Sequence, residues 1–170
     1  KKHHIHRIVG KFSYVLAPVL MVSIFMVSRL TYHKALSASV PLVDAVAGIS
    51  LSIPSLVIFA ILYGLAIANT RRTYTHMRYM IGTALLMIGP GLGRGLIIYF
   101  GIPFPTAVTI TLLIIALIGI ILLVVDLVKK QNYVPNLVVA LLLVFQSAIW
   151  ELRYTKVWLA FGEPFANLLF

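Results

Sequence analysis

His6 and His76 each stand in the opening turn of a long apolar run, in HRIVG (6–10) and HMRYM (76–80), with Arg7 and Arg78 close beside them. Two imidazoles brought together from different helices can bind a haem iron axially or supply part of a metal shell. Neighbouring arginines can hold the haem propionates. The same residues also suit a plainer place, because His and Arg in a first turn belong in the lipid headgroup layer. Asp126, at the end of another apolar run, shares their depth. A dense HHxH run (His3, His4, His6) has the donors for a transition metal and equally the look of a solvated loop. No further carboxylate or histidine lies near it in sequence to complete a zinc site.

A second group gathers around Arg94, a charge inside the Gly/Pro cluster GPGLGRG (89–95). Asp44 opens one neighbouring run and Glu151 closes another. At about 1.5 Å per helical residue all three fall near one depth. Arg94 is therefore expected to be buried against Glu151 or Asp44, its forked guanidinium fastening three helices together. The alternative use is that Arg94 and Gln146 grip an anionic or quinone-like ligand. Gly89 and Gly93, and likewise Gly91 and Gly95, are four residues apart, a spacing that lets another helix approach closely in lipid. This Gly89–Gly95 face is the expected surface for protein partners. Pro90 removes a backbone hydrogen bond beside it and favours a kink.

The elements that must position these groups follow from composition. The chain of 170 residues is 61% hydrophobic and 11% charged, with a mean hydropathy of +1.04. That is too little polar surface for a soluble domain of this size. The fold class is all-α: a polytopic transmembrane helical bundle forming a single domain over 1–170. Five spans are expected at about 6–28, 43–68, 76–100, 106–128 and 135–152, each near the ~20 residues a hydrocarbon core demands. Helices are the open-ended way to satisfy backbone groups in lipid. Residues 153–170, broken by Gly162 and Pro164, are expected to lie at the membrane interface. The stretch Arg29–Leu42 reads as a long outer loop carrying an exposed His33. The fourth run, almost wholly aliphatic until Asp126, is the expected lipid-facing helix. In the second run, serine hydroxyls around Pro54 are expected to satisfy the carbonyl that proline frees.

The charge pattern adds orientation. Fourteen Lys and Arg against four Asp and Glu give a net charge of +10. In a soluble protein that balance points to nucleic acid; here the bases flank apolar runs, so anionic lipid and topology account for it, with no nucleic-acid partner. With the N-terminus cytoplasmic, nine bases fall inside and five outside, which favours that orientation for a multi-pass protein of a cell inner membrane. The absence of cysteine excludes disulfides, thiolate metal sites and Cys nucleophiles. P-loop, G-x-S-x-G and H-E-x-x-H patterns are absent too. KKHHIHR reads as a mid-chain loop, so a further N-terminal segment is expected upstream.

On HRIVGKFSY (6–14) and HMRYMIGTALLMIGPGLGR (76–94) the chain resembles an uncharacterised family of bacterial polytopic membrane proteins. Its members pair an H-R-x-x-G opening on one helix with an H-x-R-x-M opening two helices later. They often have an additional N-terminal helix and are loosely similar to b-type cytochrome membrane domains. The resemblance implies that His6 and His76 are the positions to watch, with haem b as the implied cofactor and electron transport as the implied setting. Two functions stand side by side. The leading one is a non-catalytic accessory or structural subunit of a larger membrane complex. The other is a b-type haem or metal-binding redox protein that uses His6 and His76 as ligands, with Arg7 and Arg78 beside them.

Overall fold

A computed structural model of the chain describes the backbone of residues 2–170 and the side chains of residues 10–170. Among the described residues it has six helices: α1 (Lys2–Ser37), α2 (Leu42–Ala68), α3 (Thr73–Phe100), α4 (Phe104–Val128), α5 (Val134–Glu151) and α6 (Lys156–Leu169). The first five are long and apolar enough to cross a membrane. The all-α architecture with five apolar spans is thus the one read from composition.

The centre of the bundle is α2, which packs on α1, α3, α5 and α6. Of its most apolar stretch 56% is buried, against 11% for α1. Small residues allow this. Ala45, Ala47, Ser50 and Ala66 bring neighbouring backbones close, while Val46 and Leu62 fill the gaps and are wholly buried. Pro54 lies inside α2 without ending it. Lacking an N–H, it frees the Ser50 carbonyl one turn earlier. The partner comes from another helix and not from serine: Gln146 Nε2 on α5 donates to Ser50 O at 3.3 Å and to Leu51 O at 3.3 Å. Ser50 Oγ turns instead to Ala47 O, and Ser55 Oγ to Leu51 O.

Three expectations are corrected. The supposed loop from Arg29 is helix as far as Ser37, and the connection shrinks to a few residues around Ser39 (φ 57°) and Pro41. RLTYHKALS contains neither Gly nor Pro, and Tyr32 packs with Ala45, Val46, Ile49 and Trp158, which rewards continuing the turn. His33 therefore sits on α1, with Nε2 2.6 Å from the Phe170 carbonyl oxygen, and Arg29 Nε donates to the same oxygen at 3.0 Å.

The least buried span among the described residues is α1, not α4. On α4, Gly119 lies against α5 so closely that a Cβ there would stand 3.0 Å from Leu143 Cδ1 and 3.4 Å from Ala140 Cα. An aliphatic sequence says that a helix avoids water; it does not say whether lipid or protein replaces the water.

The third correction concerns the C-terminal stretch, where Gly162 and Pro164 lie within a continuous α6. Its 14 residues are too few to span. The helix packs on the N-terminal part of α2, with Trp158 Nε1 donating to Val46 O at 3.1 Å. Gly162 is the point of closest approach, facing Val46.

Candidate functional site

The polar group around Arg78 is a clasp. Arg78 Nη2 donates to Asp126 Oδ1 at 2.6 Å and Nε to Oδ2 at 3.2 Å, the only ion pair among the described residues. Asp126 is wholly buried, whereas the Arg78 side chain keeps 14% exposure. Asn136 Nδ2 adds a hydrogen bond to Asp126 Oδ2 at 2.7 Å, so the carboxylate joins α3, α4 and α5. Tyr74, a turn before Arg78, accepts from Nη2 at 2.7 Å and donates to Gln131 Oε1 at 3.0 Å, and the guanidinium carbon lies 4.3 Å from the centre of its ring. The shared depth of Arg78 and Asp126 is legible in the sequence. Tyr74, Gln131 and Asn136 are not singled out by it; a polar residue in the first turn of an apolar run is the one signal that marks Asn136.

This geometry changes the prospects of the histidine reading. Arg78, a candidate for holding propionates, is committed to Asp126. His76 Nδ1 lies 2.8 Å from the Ala66 carbonyl oxygen, which fixes the ring against the end of α2. The side chains of His6 and Arg7, and with them the proposed approach of His6 to His76 and the HHxH run, lie outside the described residues. Among the described residues no group of three or more His, Asp or Glu could hold a metal.

No ion pair joins Arg94 to Asp44 or Glu151 among the described residues. Glu151 Oε1 accepts from Thr109 Oγ1 at 2.7 Å, and that hydroxyl also accepts from Trp150 Nε1 at 3.0 Å, so the acid belongs to the α4–α5 seam. Asp44 is exposed and lines a cavity of about 310 Å³ between α1 and α2. Counting residues along a helix fixes depth, whereas the direction a side chain takes around the axis depends on which neighbour the helix packs against. Here α3 turns Gly89 and Gly93 toward α4.

Arg94 is exposed, not buried as expected, and lines a cavity of about 350 Å³ walled by residues of all five spans. Its polar wall includes Arg94, Thr111, Gln146, Ser52 and Ser55, and the rest is apolar. Thr111 Oγ1 and Gln146 Oε1 are both buried without a hydrogen-bond partner among the described residues, and Arg94 has neither hydrogen bond nor ion pair among them. Gly93 holds this space open: a Cβ there would lie 3.6 Å from Thr111 Oγ1. The glycine pairs thus divide between two faces. Gly89 and Gly93 meet α4, while nothing lies within 4 Å of a Cβ at Gly91 or Gly95.

No protein-family model, no curated protein and no solved structure matches this chain. The family resemblance therefore rests on its two short motifs, and sequence and structure together show a multi-span membrane protein folded as an apolar helical bundle.

Proposed function

We propose that the protein is a non-catalytic membrane subunit that holds an acidic amphiphile inside its bundle. The observation that carries this reading is Arg94. It stands about 9 Å inside the end of α3, exposed on a cavity wall, with no acidic partner among the described residues. An intramembrane arginine costs several kcal/mol unless something answers its charge, and the cavity beside it has the size at which ligand sites begin, about 300 Å³.

Charge-assisted hydrogen bonds are worth roughly 1.5–3 kcal/mol. Arg94→Gln should therefore reduce the acidic amphiphile that co-purifies with the protein by about tenfold or more. Mass spectrometry of the gently solubilised protein reads this directly. Undiminished acidic amphiphile in Arg94→Gln would sink the proposal.

The subunit part of the reading places a partner helix on Gly91 and Gly95, where the backbone is open to close approach. A Cβ at Gly95 meets nothing within 4 Å among the described residues, so in Gly95→Leu the fold should survive while association with the partner is lost. Native gel electrophoresis of membranes checks this, and unchanged migration of the variant would place any partner elsewhere.

One observation favours the haem reading as a second. A histidine whose Nδ1 is tied to a carbonyl is held as metal-ligating histidines are held. A Soret band in the purified protein, abolished by His76→Ala with the fold preserved, would carry that reading; a colourless protein would end it.

A further inference from the structure

We infer that the cavity selects an amphiphile whose acidic head also carries a hydroxyl, with Gln146 as the residue that distinguishes it from a plain acid. This deepens the binding reading above and rests on it, but on different atoms.

The orientation of the Gln146 amide is not free. Both groups it meets on α2, the carbonyls of Ser50 and Leu51, are acceptors, so its nitrogen must face them. Pro54 creates that demand by failing to donate to Ser50. The oxygen Oε1 is left on the other side, wholly buried and without a donor among the described residues. A buried acceptor left in this state is costly, so the position calls for an incoming O–H or N–H.

Thr111 tells the same story from α4. A threonine inside a helix commonly turns its hydroxyl back to a carbonyl three or four residues earlier. Thr83 does so here, to Met80 O at 2.8 Å. Thr111 Oγ1 makes no such bond and is buried beside Gly93 on the same cavity. It can give one hydrogen bond and accept another, whereas Arg94 can only give.

The ligand chemistry follows by complementarity. Arg94 and Thr111 ask for an anionic acceptor, and Gln146 Oε1 asks for a donor. An ionised carboxylate or a simple phosphodiester accepts only and leaves Gln146 unanswered. A phosphodiester bearing a free hydroxyl satisfies all three. Leu51, Leu86, Val108, Leu112 and Leu143 line the remainder and suit a hydrocarbon portion. The fitting class is therefore an anionic phospholipid with a hydroxylated head, of which phosphatidylglycerol is the simplest.

The test uses the full chain, delipidated in detergent and titrated with lipids of matched tails. Phosphatidylglycerol should bind about tenfold or more tightly than phosphatidylmethanol, which has the same charge and no head-group hydroxyl. Gln146→Met keeps the volume and should bring the two within about twofold. Thr111→Val, which breaks no hydrogen bond among the described residues, should weaken both. Equal binding of the two acidic lipids by the wild type overturns this inference and leaves the binding proposal intact. Acidic lipids that bind no better than phosphatidylcholine overturn both. Glycerol phosphate without tails binding as tightly as phosphatidylglycerol would replace the lipid with a free anion and overturn the amphiphile assignment.

Discussion

Asp126→Ala is expected to destabilise the protein by about 3–5 kcal/mol, the usual result of removing one partner from a buried ion pair. The carboxylate is wholly buried and receives Arg78 through two nitrogens and Asn136 through a third. Its loss strands a guanidinium that is only 14% exposed, and an amide nitrogen keeps just its 3.2 Å bond to Leu122 O. Three helices lose their common fastening at once. Paired replacement, Arg78→Leu with Asp126→Leu, removes both charges and should recover much of the deficit, because neither desolvated charge then remains. Thermal unfolding of the solubilised protein, followed by circular dichroism, measures both variants against the wild type. Wild-type stability in Asp126→Ala would show that the clasp holds nothing.

Gly162→Ala should be the most damaging single methyl in the molecule. Alanine in place of glycine within a helix ordinarily stabilises by about 0.5–1 kcal/mol. At Gly162 the new Cβ would stand 2.6 Å from Val46 Cγ1, with the Trp158 ring 3.4 Å away. Val46 cannot turn aside easily: its branched Cβ has one favoured rotamer in a helix, and it is wholly buried. The strain instead lifts α6 from α2, at a cost typical of overpacking, about 1–3 kcal/mol. The Trp158–Val46 hydrogen bond should break, which tryptophan fluorescence reports as a shift to longer wavelength. Gly48→Ala meets nothing within 4 Å and is the matched control. Equal stability of the two variants would show that α6 is not seated on α2 as described.

How much of this was legible in the sequence depends on what kind of information each feature needs. Helix lengths are set by runs of residues that avoid water, so the five spans can be read directly. The end of α1 could not be, because Arg29–Ser37 is polar enough to resemble a loop and becomes helix only when Tyr32 finds Trp158 and α2. Depth can be counted, which is why Arg78 and Asp126 stand out together. The same counting suggests a partnership for Arg94 that no ion pair bears out among the described residues, Glu151 being bonded to Thr109 instead. Gln146 could be named beside Arg94 from sequence. Its fixed orientation could not, because that depends on α5 passing the carbonyls freed and left beside Pro54. Of the histidine pair, only His76 has a described side chain.

The bond from Gln146 to α2 ties the histories of two distant positions. Proline at 54 makes a long amide at 146 worth keeping, and that amide makes the proline tolerable. A lineage that lost either residue first would pass through a chain with an unanswered carbonyl in its most buried helix or a glutamine with nothing to hold. The two residues are thus expected to be inherited as one character, and the orphaned amide oxygen is inherited with them.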